Sequence, residues 1–404
     1  MVPNGWEVKT LNEVSKITRL AGAEYSDVWE TNPHGEIIAL RGYNIGNNHI
    51  NLRDVERITQ EMSLKLSRSK LFKDDIVFPC VGSIGKAYLV KEDNRFHINQ
   101  NIAKLTPDET VDPLYLTYCL LSKESENQIM KFNTSSSQPN VLVGNLRKFE
   151  FQFPLSVLEQ QKIANILSTW DKAISTTERL INNSTQQKEA LMQQLLTGKK
   201  RLLDDSGKRF EGEWKQVIFG EVAKLSSKKY NPLKANQCLP CIELEHLDQG
   251  SGRIIGSANA SELASMKNHF EAGRVLFGKL RPYLRKYARP DFEGVCSTEI
   301  WVFKTTSKLL DEYLFHFVQT DKFVSEANKS SGSKMPRADW GVVSELVIKI
   351  PNLKEQQKIA TVLTNADKEI ELLDQQLADL QQEKKGLMQV LLTGKKRVVV
   401  DGAF

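Results

Sequence analysis

Glu159-Gln160-Gln161-Lys162-Ile163-Ala164 returns unchanged as Glu355-Gln356-Gln357-Lys358-Ile359-Ala360, and Leu195-Leu196-Thr197-Gly198-Lys199-Lys200-Arg201 returns as Leu391-Leu392-Thr393-Gly394-Lys395-Lys396-Arg397. Both pairs share an offset of 196, so the 43 residues from Glu159 to Arg201 align with a second 43 without a gap, 22 of them identical. Neither stretch contains proline, and Gly386 is the only glycine before the closing Thr-Gly-Lys-Lys. Each opens just after a proline with Ser156-x-x-Glu159 or Asn352-x-x-Glu355, the pattern of a capping box. Each closes on a glycine, Gly198 or Gly394, where a left-handed C-cap belongs, followed by lysines suited to the negative end of a helix dipole. The pattern predicts two long helices.

Their apolar positions step alternately by four and three. The first helix presents Ile163, Leu167, Trp170, Ile174, Thr177, Ile181, Ser184, Lys188, Leu191 and Leu195. The second presents Ile359, Leu363, Ala366, Ile370, Leu373, Leu377, Leu380, Lys384, Leu387 and Leu391. This is a coiled-coil seam, and about 40 residues at about 1.5 Å each span roughly 60 Å. The two helices are expected to pair with each other. A compact segment between them starts the second helix near the end of the first, so they run antiparallel. That direction also separates Lys188 from Lys384, which share one seam position.

The flanking segments repeat more faintly. Trp6, Glu13-Val14 and Lys16 match Trp214, Glu221-Val222 and Lys224, and Pro139 and Pro154 match Pro336 and Pro351. The chain therefore reads globule–helix–globule–helix, with expected segments 1–154, 155–210, 211–351 and 352–404. The expected class is α/β (mixed α+β): two globules separated by a pair of long antiparallel coiled-coil helices, a circular repeat with pseudo-twofold symmetry. Strand-like runs fall at 36–40, 75–78, 86–90, 274–277 and 300–303, and short amphipathic helices at 115–121 and 313–318. Ser-rich loops recur at 134–138 and 329–334.

Composition narrows the class of protein. The 404 residues are 40% hydrophobic and 26% charged, the balance of a globular chain. No run approaches the roughly 18 apolar residues of a membrane helix, so no membrane partner is expected. The first residues lack a signal-peptide pattern, and five cysteines, an odd count, fit a reducing cytoplasm. A net charge of +5 is compatible with a polyanion without demanding one.

The search for catalytic chemistry returns little. Asp112-Pro113-Leu114-Tyr115 lacks the second proline of an amino-methyltransferase motif and reads as a helix start. Gly82-Ser83-Ile84-Gly85-Lys86 is no P-loop, since Ala87 stands where a Mg²⁺-binding hydroxyl belongs; it reads as a tight turn with Lys86 free to meet a phosphate. After Pro290-Asp291, Glu299 is followed by Trp301 where a nuclease needs lysine. Cys238 and Cys241 have no second CxxC and read as two small buried strand residues rather than as zinc ligands. No catalytic residue and no metal ligand is assigned.

One segment points to a nucleic-acid surface, the alternative being a solvated basic hairpin. From Ala272 to Pro290 lie Arg274, Lys279, Arg281, Arg285, Lys286 and Arg289, interleaved with Phe277, Tyr283 and Tyr287, and no acid. Lys334 and Arg337 follow in the Ser-rich region. The first globule offers Arg41, Tyr43, Asn44, Asn47, Asn48 and His49, then Lys86, then Arg95, His97, Asn99, Gln100 and Asn101. Asn and Gln read adenine bidentately and Arg reads guanine, although asparagines are also ordinary turn residues.

Two divergent globules, two near-identical helices and the Glu-Gln-Gln-Lys-Ile and Leu-Leu-Thr-Gly-Lys signatures closely resemble specificity (S) subunits of type I restriction–modification systems, over essentially the whole length. Gly-Ser-Ile-Gly-Lys at 82–86 is similar to a pattern of their target recognition domains. The second globule departs there, with Gly278-Lys279-Leu280-Arg281. The resemblance implies two target recognition domains, each reading one half of a split, asymmetric site in double-stranded DNA. It implies helices that set the spacer and dock two modification subunits, which carry S-adenosylmethionine and methylate adenine N6. Two restriction subunits, with ATP and Mg²⁺, can join. The S subunit itself would bind no cofactor and catalyse nothing. The alternative is a self-contained DNA methyltransferase or endonuclease with an unrecognised site.

Overall fold

A computed structural model describes residues 2–20, 25, 28–133, 139–234, 238–263, 265–329 and 335–400. The chain divides into two compact units. One comprises residues 1–178 and 375–404, the other residues 179–374. Each takes in one globule, half of the first long helix (Val157–Leu195) and half of the second (Leu353–Leu391).

The two globules follow one plan. In the first, Trp6–Thr10 pairs antiparallel with Glu150–Pro154. An antiparallel sheet runs in the order Ser15–Arg19, Ile102–Pro107, Ile76–Pro79, Tyr88–Leu89, and a second sheet in the order Glu56–Ile58, Ile37–Leu40, Phe96–Ile98. In the second, Lys215–Ile218 pairs with Val347–Ile350. Its antiparallel sheet runs Ala223–Leu225, Ile300–Thr305, Leu276–Gly278, Tyr287–Ala288. Its other sheet runs Lys229–Tyr230, Lys267–Phe270, Gly294–Cys296, Pro240–Ile242, Ala258–Asn259. Both second sheets contain one parallel pair, Ile37–Leu40 with Phe96–Ile98 and Pro240–Ile242 with Gly294–Cys296. The expected strand runs fall on these strands, with ends that differ by a residue or two.

Helices Pro113–Leu120 and Asp311–Phe317 occupy matching places. Asp112 caps the first, accepting from Tyr115 N at 2.8 Å, with Pro113 in the first turn. The Asp-Pro-Leu-Tyr stretch is thus a helix start, as its sequence suggests.

Ion pairs within each unit fix the helix direction. In the first unit Glu159 meets Arg397 and Asp171 meets Lys384. In the second, Lys188 meets Asp367 and Arg201 meets Glu355. One helix ascends as the other descends, so both halves pair antiparallel. Ile163, Leu167 and Leu391 are buried in the first globule's core, and Leu195, Ile359 and Leu363 in the second's. At about 1.5–3 kcal/mol for each fully buried Leu or Ile side chain, these contacts weld the helix ends to the globules. Leu191 and Leu387 are half-buried against the same two cores. Trp170, Ile174, Ile181, Ile370, Leu373, Leu377 and Leu380 are half-buried along the seam.

The helix starts depart from the expected capping boxes. Asn352 accepts from Glu355 N at 3.0 Å, but the Glu355 carboxylate turns away to Arg201. Glu159 likewise turns to Arg397. Each arginine lies over a tryptophan, Arg201 over Trp214 and Arg397 over Trp6. The glycines do cap the ends: Gly198 has φ +72° and Gly394 +64°. A Cβ at Gly394 would also stand 2.6 Å from Pro3 and 3.1 Å from Trp6. The repeated Trp, Gly, Arg and Glu are one clamp, built twice.

Each seam lysine is neutralised by an aspartate. Lys384 Nζ lies 2.5 Å from Asp171 Oδ1, whose other oxygen accepts from the Tyr118 hydroxyl at 2.6 Å. Lys188 Nζ lies 2.5 Å from Asp367, and His316 occupies the place of Tyr118. Burial pushes the Tyr118 phenol and the Asp367 carboxyl up.

Candidate nucleic-acid interface

In the first unit the turn between Ile76–Pro79 and Tyr88–Leu89 carries Gly82 and Gly85 at φ +75° and +85°. Their left-handed backbone costs glycine nothing. The turn brings Lys86 to Asn47, whose Oδ1 accepts from Lys86 Nζ at 3.1 Å. Asn47 is exposed, and so is Tyr43 nearby in the chain, on the short turn Gly42–Asn44. A cation from a loop of one sheet thus meets an amide from a loop of the other, and that second loop also carries the exposed aromatic ring.

Other expected readers in this unit are committed to the fold. Asn44 is buried. Its Oδ1 accepts from Arg41 N at 2.9 Å, and its Nδ2 donates to Asn51 O and Asp54 O at 2.9 and 2.8 Å. Both N–H groups and the oxygen of this amide are thus engaged inside the protein. Arg41 is ion-paired with Glu56. Asn99 is buried and accepts from Gln100 N at 2.5 Å, leaving Gln100 half-buried at the turn. His97 is buried between two backbone carbonyls, and burial lowers its pKa.

The second unit repeats the turn, although its sequence suggests a departure. Lys279 N donates to Glu299 O as Cys80 N does to Asn101 O. Arg281 N donates to Pro336 O as Gly82 N does to Pro139 O, and Ala338 N to Lys279 O as Val141 N does to Cys80 O. Arg281 therefore stands where the first unit has Gly82, and Arg285, in a turn one residue longer, takes the second left-handed place, which Gly85 holds in the first. They keep the left-handed backbone, at φ +52° and +49°. For a residue with a Cβ that conformation costs about 1–2 kcal/mol.

The basic stripe is less free than its sequence implies, because acids arrive from elsewhere in the unit. Arg285 pairs with Asp321 and donates to Gln319 O, Arg289 pairs with Glu312, and Arg274 pairs with Glu271 and Asp311. Lys228 and Arg274 hold the Glu271 carboxyl down at about 2. Lys286 Nζ donates to Leu244 O at 2.6 Å, and Arg337 pairs with Glu299 at 3.0 Å. Arg285 and Lys286 thus hold the turn. Arg281 and Tyr283 remain exposed, and Lys279 is half-buried. Lys334 and the Ser-rich loops at 134–138 and 330–334 lie outside the described residues.

Cys241 is buried in a strand while Cys238 is exposed, so the pair is not the two buried residues its sequence suggests. Among the described residues no cluster of His, Cys, Asp and Glu could hold a metal, and no helix is long and apolar enough to cross a membrane.

Comparison with known proteins decides the family. The type I restriction modification DNA specificity domain matches residues 3–185 and again residues 211–382. The chain belongs to this family. As a specificity subunit, it is similar to the type I restriction enzyme MjaVIII specificity subunit of Methanocaldococcus jannaschii, with 28% identity over 314 residues and 72% of each chain covered. It is also similar to the putative MjaX specificity subunit of the same organism, with 24% identity, 98% of this chain and 95% of the relative covered. The crystal structure of the type I restriction–modification S subunit from M. genitalium superimposes with a TM-score of 0.61 at 17% identity, covering 97% of this chain and 98% of that one. At that identity the likeness carries the fold. A specificity subunit recognises DNA and is not itself an enzyme.

Proposed function

We propose that each unit reads one half of a bipartite, asymmetric DNA sequence, and that the paired helices set the spacer and dock two modification subunits. Those subunits would carry S-adenosylmethionine and methylate adenine N6; two restriction subunits, with ATP and Mg²⁺, would complete a cutting complex. One observation carries this reading: a corresponding turn is built in each unit, with Gly82, Gly85 and Lys86 in one and, one residue longer, Arg281, Arg285 and Lys286 in the other. A duplicated scaffold with different chemistry at one place suits two different half-sites.

Methylated adenines mapped in the host genome should define one bipartite motif. Seven residues inserted at 178/179 and seven at 374/375 keep each unit's ion pairs intact. The insertion adds about 10 Å of helix, equivalent to about 3 base pairs at 3.4 Å each. Both half-sites should persist with altered spacing; an unchanged spacer would exclude the helices as the ruler.

A further inference from the structure

Resting on the reading of unit 179–374 as the recogniser of one half-site, we propose that Arg281 is its specificity-determining residue and reads a guanine in the major groove. The turn does not need arginine there, since Gly82 makes the same backbone bond in the other unit. Arg281 is held in a left-handed conformation that glycine adopts freely, so its side chain is kept against the backbone's preference. Its neighbours Arg285 and Lys286 account for themselves by their bonds to Asp321, Gln319 O and Leu244 O. The Arg281 guanidinium has no hydrogen bond or ion pair among the described residues, and it is exposed beside exposed Tyr283.

An exposed, unpaired fork of N–H donors at the tip of a turn fits the paired acceptors O6 and N7 of guanine, the commonest arginine–base contact. Gly82 offers no side chain at the matching place, so the first unit must read its half-site by other groups, Lys86 and Asn47 among them. The two half-sites then differ in chemistry as well as in sequence.

The test is Arg281→Gly and Arg281→Lys in the full chain, expressed with its partner subunits in the host and read by methylome mapping, with Tm measured on the purified chain. Arg281→Gly should raise Tm by about 2–4 °C by removing the strain. It should also relax the motif at one G·C pair of one half-site, by about 10- to 100-fold in preference, and leave the other half unchanged. Arg281→Lys should retain the salt dependence of DNA binding and lose the same discrimination. An unchanged motif, an unraised Tm, or loss of both half-sites together would overturn the assignment. If the wild-type chain yields no bipartite motif, the reading on which the assignment rests fails instead.

Discussion

Replacing Arg201 by methionine is expected to destabilise residues 179–374 by about 3–5 kcal/mol, the usual consequence of stranding a buried charge. Glu355 is 0% exposed, and both its oxygens face the arginine, at 2.6 Å from Nε and 2.8 Å from Nη2. The same guanidinium donates to Gly212 O at 2.9 Å and covers Trp214. With Arg201 gone, the carboxylate has no countercharge at a place where the second long helix enters the globule. Changing Glu355 to leucine in the same chain should restore most of the loss, because an apolar pair of similar volume is tolerated where a lone charge is not. Denaturant unfolding of the full chain and both single and double variants measures this directly. A loss below about 1 kcal/mol for Arg201→Met would mean that the pair behaves like a surface salt bridge. The matching Arg397→Met change should cost less, about 1–3 kcal/mol, because Arg397 is 46% exposed against 20% for Arg201 and water screens its pair with Glu159.

The clamp shows where sequence reading succeeds and where it stops. The exact repeat of Glu-Gln-Gln-Lys-Ile-Ala and Leu-Leu-Thr-Gly-Lys-Lys-Arg, with its four–three seam, gives both long helices, because helical periodicity is local, and the compact segment between them gives their antiparallel sense. The roles of the repeated polar residues are tertiary. Glu159 and Glu355 sit where a capping box wants glutamate, yet each bonds to an arginine more than 150 residues away. The repeated Asp-Lys dipeptides conceal the partners of the seam lysines for the same reason. At the candidate interface, Ala272–Pro290 reads as uniformly basic because Asp311, Glu312 and Asp321 lie outside that window. Gly278-Lys279-Leu280-Arg281 reads as a departure from Gly-Ser-Ile-Gly-Lys because residue type hides a shared backbone. Only the two positive φ values and the matching backbone bonds expose it.

Between pH 7 and pH 5, residues 179–374 should lose about 2 kcal/mol of stability on account of His316 alone. His316 is 0% exposed, and burial, with Lys188 and Arg289 nearby, holds its pKa at about 3 against an ordinary 6.5. Its Nε2 lies 3.1 Å from Thr364 Oγ1. Asp367 lies 3.9 Å from Nδ1, but its charge is already matched by Lys188 at 2.5 Å, so it gives a protonated ring little support. The folded state therefore favours the neutral ring. That contribution is complete above pH 6.5 and is lost as pH falls through about 3. Asp367 acts with the opposite sign: burial raises its pKa, so its contribution is complete below the ordinary carboxylate value and is lost as pH rises through the folded one. On acidification it therefore offsets part of the histidine loss, toward the low end of the range. His316→Gln keeps a neutral hydrogen-bonding group beside Thr364 and removes the titration, so the wild-type-minus-variant difference isolates the histidine. That difference should change by about 2 kcal/mol from pH 7 to pH 5, or about 4–8 °C in Tm for a unit of this size. A difference that stays flat over this range would show that the folded and unfolded chains bind the proton equally, so that burial leaves the His316 imidazole near its ordinary pKa.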